Sequence, residues 1–381
     1  MPPTSIHYVA ARSAQTYPLD LPLWWAPDGS GHVNLSPGPG IGRDDIDRHA
    51  RGPWRYRAAL ALEPGPMVSL GEGGTPLVPK RWDGADVQFK LEFMAPTGSF
   101  KDRGTAVMVS YLKQRGVGAL IEDSSGNAGA AVAAYAAAAG MGCRVFVPAA
   151  ASPAKLVQMR ATGADVIPIA GTRSAVTEAA IAAAAAPGAF YASHNRQPFF
   201  LEGTKTLAYE LWEDLDFRAP DAVVTPVGGG GNLLGCYIGF TELLHRGEIA
   251  RMPRLYAVQP AACAPLVAAH QVRSKTVAAV TAGETVAEGI VIADPVRGAE
   301  MLAALRDSGG GAVAVEDSET ITALDRLSRM GLFVEPTSAA AGAGLSRLLA
   351  EGAIRPGETV AVILTGSGLK AAPLIGNLLG C

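Results

Sequence analysis

From residue 119 to residue 258 the chain alternates short apolar runs with helical stretches, and this alternation limits the possible folds more than any other feature. Residues 119–122, 144–147, 166–169, 190–192, 222–227 and 255–258 read as strands, with 87–91 and 360–364 extending the set. The patterning predicts helices over 130–139, 154–162, 175–186, 204–215 and 233–245. Apolar strands separated by helices build parallel sheets covered on both faces. The expected class is therefore α/β and doubly wound. Ligands of such sheets bind where strands turn into helices, so those turns are the places to look for chemistry.

Composition narrows the function. The 381 residues are enough for two domains and a large core. With 49% hydrophobic and 18% charged residues the chain is globular, and a net charge of -3 without long charge runs argues against a nucleic-acid or membrane partner. Abundant glycine and alanine suit helices lying close on a sheet. Cys143, Cys236, Cys263 and Cys381 are scattered with no CxxC pair, so neither a zinc ribbon nor a redox pair is expected, and a reduced, cytoplasmic compartment is the default. The start of the chain carries no secretory pattern, and the alanine-rich runs are too short to span a bilayer.

One lysine occupies an unusual place. In Ala95-Pro96-Thr97-Gly98-Ser99-Phe100-Lys101-Asp102-Arg103-Gly104, Pro96 and Gly98 read as turn residues, Ser99 as a helix N-cap and Asp102 as an acid suited to the positive helix end. Lys101 then sits where an ammonium is disfavoured, and a neutral lysine is what Schiff-base chemistry on an aldehyde requires. Taken alone, the segment equally fits a surface lysine in a first helical turn.

Three further turns bear on the same question. Ser124-Ser125-Gly126-Asn127-Ala128-Gly129 follows a strand and opens a helix, so its N–H groups and hydroxyls suit a carboxylate, and Asn127 can donate to a phenolate-type oxygen. An ordinary capped turn explains it as well. Pro226-Val227-Gly228-Gly229-Gly230-Gly231-Asn232 bares the backbone between a strand and a helix, which suits a phosphate. Gly-x-Gly-x-x-Gly fails there because residue 233 is Leu, and the dipeptide Gly-Lys occurs nowhere, so neither a dinucleotide fingerprint nor a P-loop is present. Leu364-Thr365-Gly366-Ser367-Gly368-Leu369-Lys370 offers hydroxyls after the last strand. An aldehyde partner, a phosphate cup, a carboxylate loop and a hydroxyl together describe pyridoxal phosphate, which a protein holds and tunes.

With these motifs the chain resembles fold-type II pyridoxal-phosphate enzymes, the tryptophan synthase β-like group, and within them threonine synthase and its paralogues. The carriers run from residue 72 to the end: 71–77, 96–104, 124–129, Leu201-Glu202-Gly203-Thr204-Lys205-Thr206, Glu335-Pro336-Thr337-Ser338-Ala339-Ala340 and 364–370. The resemblance implies two doubly wound parallel-sheet domains with the cofactor between them. A large domain would comprise 66–95 and 200–381, and a small one, of the kind that closes on substrate, 96–199. It implies that Lys101 carries the cofactor as a Schiff base and later acts as base, that Asn127 bonds the phenolic oxygen, and that Gly228, Gly229, Gly230, Gly231 and Asn232 hold the phosphate. Thr365 would face the ring nitrogen, and Ser124, Ser125 and Ala128 would seat the carboxylate of a small amino-acid substrate. Asp102 and Arg103 are expected to be structural, and Glu288 to lie near the cofactor or to be a simple loop carboxylate. The implied reaction is elimination or replacement at the β or γ carbon, by a homodimer. A serine or threonine dehydratase and a non-catalytic cofactor-binding protein are the alternatives.

The chain also departs from the family pattern. Threonine synthases often carry Gly-Asn-Ala-Gly-Asn where this chain has four glycines and Asn232, as dehydratases do. Where threonine synthases carry an arginine that helps bind the substrate's phosphate, this chain has Phe200, in a segment that is slightly longer, and Arg196 is the nearby alternative cation, whose reach the sequence leaves open. Residues 1–65 resemble a zinc-ribbon-like entry in which Ala10, Ser13, Ala26 and Asp28 stand in place of cysteines, so no metal is expected.

Overall fold

A computed structural model describes residues 6–381. Three short strands open the chain, β1 (Tyr8–Ala10), β2 (Thr16–Tyr17) and β3 (Val33–Leu35), and a hairpin follows, β4 (Leu77–Trp82) with β5 (Ala85–Lys90). Next come α1 (Lys101–Gln114), β6 (Ala119–Glu122), α2 (Asn127–Ala139), β7 (Gly142–Pro148), α3 (Pro153–Ala161), β8 (Asp165–Ile169), α4 (Arg173–Ala183), β9 (Ala189–Tyr191) and α5 (Pro198–Thr204). The remainder is α6 (Thr206–Asp214), β10 (Ala222–Pro226), α7 (Gly231–His245), β11 (Arg254–Pro260), α8 (Pro265–Gln271), α9 (Gly298–Asp307), β12 (Gly311–Val315), α10 (Asp317–Arg329), α11 (Pro336–Ala350), β13 (Val360–Ile363) and α12 (Ala372–Leu379). The chain divides into two compact units. The first takes residues up to Ile41, Asp45–Gly73 and Lys101–Thr204, and the second takes Gly42–Asp44, Gly74–Phe100 and Lys205–Cys381.

In the first unit four parallel strands lie in the order β8-β7-β6-β9. Ala130 and Ala133 of α2 and Leu156 and Met159 of α3 pack on Val145 and Val147. Val176 and Ala180 of α4 pack with Ile121, Phe146 and Tyr191. Because Val145 and Val147 alternate with Phe146 along β7, the two clusters lie on opposite faces, as a doubly wound sheet requires.

The antiparallel ribbon β2-β1-β3 belongs to this unit. Tyr8 reaches the Tyr111 hydroxyl at 2.6 Å, and the Tyr111 ring stacks on Phe199 at 3.6 Å. At the positions compared with zinc-ribbon cysteines, Ala10 and Ala26 are buried, and the Ser13 hydroxyl donates to Asp28 Oδ2 at 2.6 Å. Hydrogen bonds from Ser13 and Ser30 push the Asp28 carboxyl down to about 2. A polar clasp thus joins the two turns of the ribbon.

The second unit has six strands in the order β12-β11-β10-β13-β5-β4, all parallel except the β4–β5 hairpin. The hairpin turns at Asp83-Gly84, both with positive φ (46° and 82°), the Asp-Gly signature of a two-residue turn. Sequence patterning picked out β5 and missed its antiparallel partner β4, although the Asp-Gly pair marks it. The helix expected over 204–215 is in fact two. It breaks at Lys205, whose buried ammonium pairs with Glu242 Oε1 of α7 at 3.0 Å. A polar group so deep needs its partner, and the break brings it there.

Buried charge also fixes the entry to β4. Lys90 Nζ, fully buried, lies 2.6 Å from Glu210 Oε1, from Asp214 Oδ2 and from the Thr75 carbonyl. Glu210 accepts in turn from the Gly74 and Thr75 N–H groups at 2.9 and 3.0 Å. Removing one member of such a cluster strands the others. We expect Lys90→Met to lower unfolding free energy by about 3–5 kcal/mol, read by denaturant titration.

Close helix packing in the first unit rests on two glycines. A Cβ on Gly203 would lie 2.2 Å from the Arg103 carbonyl oxygen, and one on Gly104 would lie 2.6 Å from the Phe200 ring. Gly203→Ala should therefore push α5 from α1 and cost about 1–3 kcal/mol or more, since the obstacle is backbone. A drop of several degrees in melting temperature would register it, and an unchanged value would refute the packing argument.

Candidate active site

Lys101 is the first residue of α1. Its expected cap does not form: Ser99 pairs in a β-bridge with Gly366, and its buried hydroxyl has no hydrogen-bond partner. The backbone holds the turn instead. Phe100 N–H donates to the Thr365 carbonyl at 3.0 Å, and Ser367 N–H donates to the Gly98 carbonyl at 2.9 Å. These bonds lie within the second unit and tie the Thr365 turn to the residue just before Lys101. Gly98 has φ of +81° there, which glycine allows without strain.

Within the first unit, Lys101 is half-buried, and its Nζ lies 5.6 Å from the centre of the Phe200 ring. Phe200 is fully buried in the glycine-lined crossing of α1 and α5. Asp102 and Arg103 are also fully buried, in keeping with a structural part. Arg196 stacks its guanidinium over Trp25 at 5.0 Å and faces Trp24 at 5.7 Å.

The Ser124-to-Gly129 turn follows β6 as expected. Gly126 is the N-cap of α2, Asn127 its first residue, and Ser124 Oγ accepts from Gly126 N–H at 3.3 Å. A Cβ on Gly129 would meet the Ser124 carbonyl at 2.0 Å, so only glycine lets the turn fold back on its helix. Ser124, Ser125 and Asn127 are half-buried and Ala128 is buried. Asp123 anchors the turn to α4, through Arg173 at 2.9 Å and Thr177 at 2.6 Å.

Patterning did not single out the group beneath this turn. Glu122, fully buried at the end of β6, lies 3.3 Å from His194 Nδ1, and its Oε2 has no partner. Burial, with Asp123 adding repulsion, holds the Glu122 carboxyl well above its usual range. Burial, then Lys101 and Arg173, hold His194 well below its own. Burial thus favours the neutral form of each group. An acid at the buried end of an apolar strand was the available signal.

In the second unit β10 runs into the glycine turn. Gly230 is the N-cap of α7 with φ of +87°. A Cβ there would meet Met301 Sδ at 2.4 Å, and one on Gly228 would meet Ile290 Cα at 3.0 Å. Gly229 and Gly231 are half-buried. Asn232 is 3% exposed, yet neither Oδ1 nor Nδ2 has a partner. Thr365 is oriented by its N–H, which donates to Ser338 Oγ at 2.8 Å, while its own hydroxyl is buried and unpaired. Glu288 is exposed and opens the short 3-10 turn whose Ile290 abuts Gly228.

These features fit pyridoxal phosphate. The Gly230 cap presents N–H groups at a helix N-terminus for a phosphate. Orphaned buried polar atoms at Asn232 and Thr365 are uncommon without a ligand to satisfy them. Lys101, at the start of α1, carries an amine of the kind an aldehyde requires. Among the described residues no three His, Cys, Asp or Glu side chains gather as a metal site, and no helix is long and apolar enough to cross a membrane.

The comparisons with known proteins agree with this chemistry. Residues 68–366 match the model of the family described as pyridoxal-phosphate dependent enzyme. The threonine synthase of Methanocaldococcus jannaschii is 37% identical over 338 residues, covering 87% of this chain and 83% of that protein. The threonine synthase of Methanosarcina acetivorans is 37% identical over 324 residues, covering 83% and 80%. A fungal L-serine ammonia-lyase from Rhizomucor miehei superposes with a TM-score of 0.70 at 20% identity, over 80% of this chain and 97% of that one, which speaks to the fold alone. With a family match across most of its length and relatives this similar, the chain belongs to the pyridoxal-phosphate dependent enzymes, as a threonine synthase-like lyase.

Proposed function

We propose that this enzyme carries out elimination and replacement at the γ or β carbon of a small amino acid, with Lys101 as anchor and base. The observation that carries the reading is the set of unsatisfied groups at the strand ends: the Gly230-capped turn, the orphaned Asn232 amide and the orphaned Thr365 hydroxyl. Pyridoxal phosphate, when bound, supplies an aldehyde for Schiff bases and an electron sink for the bond broken at Cα.

The chain's own residues supply the rest. With the cofactor bound, Lys101 would hold its aldehyde, and the amine, once free, would be placed to take the α-proton. Two opposed influences suit a group that alternates between amine and ammonium. The positive end of α1 disfavours the cation, and the Phe200 face 5.6 Å away attracts it. Gly228, Gly229, Gly230, Gly231 and Asn232 would hold the phosphate, and Asn127 would donate to the phenolic oxygen. Ser124, Ser125 and the backbone at Ala128 receive the substrate carboxylate at the start of α2. Thr365 offers the ring nitrogen a neutral hydroxyl. A hydroxyl does not balance a pyridinium as a carboxylate does, so the sink is mild and transamination is disfavoured. The domain division, cytoplasmic location and dimeric state expected for the family are carried as part of this proposal.

The names of the curated relatives favour threonine formation. Against a phosphorylated substrate stand the buried apolar ring of Phe200 and the engagement of Arg196 with Trp24 and Trp25. Supplying O-phosphohomoserine, threonine and serine separately, and following phosphate and keto acid, decides the leaving group. Phosphate release with threonine formation supports the synthase; keto acid alone supports a dehydratase. Lys101→Ala should abolish the visible absorbance of the lysine-bound cofactor, and an unchanged spectrum would refute the assignment. Gly230→Ala, strained at φ of +87°, should weaken pyridoxal phosphate binding about tenfold or more by equilibrium titration.

A further inference from the structure

The buried pair beneath the serine turn has no part in the mechanism above, yet it has the form of a proton relay. Glu122 is fully buried and holds His194 at Nδ1, 3.3 Å away. The imidazole is 11% exposed, and its Nε2 has no protein hydrogen-bond partner among the described residues. The ring meets Phe200 edge-on at 5.7 Å, and the same Phe200 ring has Lys101 Nζ at 5.6 Å. Asp123 and Arg173 are engaged with each other at 2.9 Å, Lys101 is the other cation that acts on His194, and the Cys143 thiol, pushed up to about 12 by burial and Glu122, is neutral. Arg173 favours an ionised Glu122, but burial and Asp123 oppose it more strongly.

We propose that His194 Nε2, relayed by Glu122, exchanges a proton with the oxygen of the Cβ–O bond made or broken in this site. This rests on the lyase reading above and deepens it. With Glu122 protonated and donating to Nδ1, the neutral imidazole carries its other hydrogen on Nε2. When Cβ–O breaks, Nε2–H passes to the departing oxygen, which leaves as water, and the Glu122 proton moves to Nδ1. The pair ends one proton poorer, as an imidazole beside a carboxylate. Lys101 has meanwhile gained the α-proton, so its new positive charge offsets the new negative one. The total charge in the enclosed region is unchanged, which avoids the cost of creating net charge away from water. Addition of water at Cβ runs the same transfers backwards.

Three measurements test this. The first is ¹⁵N NMR of the His-labelled full chain, with His194 assigned by its loss in His194→Gln. The expected state is neutral with hydrogen on Nε2 from about pH 6 to 8. An imidazolium, or hydrogen on Nδ1 beside an ionised Glu122, overturns the proposal whatever the enzyme's substrate. The second compares the holoenzyme's turnover of L-threonine with that of β-chloro-L-alanine, whose chloride leaves without a proton. His194→Gln should lower kcat/KM for threonine about 10²–10⁴-fold and leave chloride elimination within about threefold. Equal losses on both substrates indicate a merely structural role and refute the relay, while the lyase reading stands. A wild type that eliminates chloride but neither releases water from threonine nor forms threonine from O-phosphohomoserine also refutes it. A wild type that handles neither substrate, nor O-phosphohomoserine, defeats the lyase reading itself. The third uses Glu122→Gln, whose amide keeps a donor to Nδ1 but has no acidic proton to pass on. It should preserve the Nε2–H signal and the cofactor's absorbance while losing threonine turnover selectively; full threonine activity in this variant refutes Glu122 as relay.

Discussion

The crossing of α1 and α5 is the constraint on which the first unit's chemistry depends. Gly203 lets α5 approach the Arg103 carbonyl, and Gly104 lets the Phe200 ring lie flat against α1. A side chain at either position would need space that the backbone already fills. The consequence reaches the lysine three residues earlier, because Phe200 then stands beneath Lys101 Nζ. It reaches His194 too, whose ring meets Phe200 edge-on. A close approach of two helices thus fixes where an amine, an imidazole and a buried carboxyl can meet.

The second unit solves a different problem, that of presenting bare polar atoms without collapse. Gly230 at positive φ ends the β10 turn, and Met301 and Ile290 wall it closely. Ser338 fixes the Thr365 backbone while leaving its hydroxyl unpaired. Such orphaned groups are costly in a folded protein, so the surrounding network has to be rigid. The Lys90, Glu210 and Asp214 cluster contributes that rigidity at the start of the hairpin, and the backbone bonds from Phe100 and Ser367 contribute it at the turn before α1.

Most of the parallel strands were legible because they are apolar runs bounded by turn residues, and β6 was read to the residue, whereas β12 was not picked out. Lys101, the two glycine-bearing turns and Thr365 were legible because their residue types are unusual at strand ends. What escaped was set by partners distant in sequence. The break at Lys205 follows from Glu242, thirty-seven positions away, and Ser99 loses its capping role because it pairs with Gly366. The ribbon β1–β3 was hidden because two- and three-residue strands show no periodicity.

The sequence by itself determined the fold class and the cofactor, and singled out Lys101 as the candidate to carry it, because strand-to-helix alternation and local turn chemistry are short-range properties written in consecutive residues. Only the tertiary structure decided that Phe200 lies beneath Lys101, that Arg196 is held on Trp24 and Trp25, and that Glu122 and His194 form one buried pair. Those arrangements depend on which side chains share a desolvated space, and seventy-two positions of chain separate the pair that bears most directly on the leaving group.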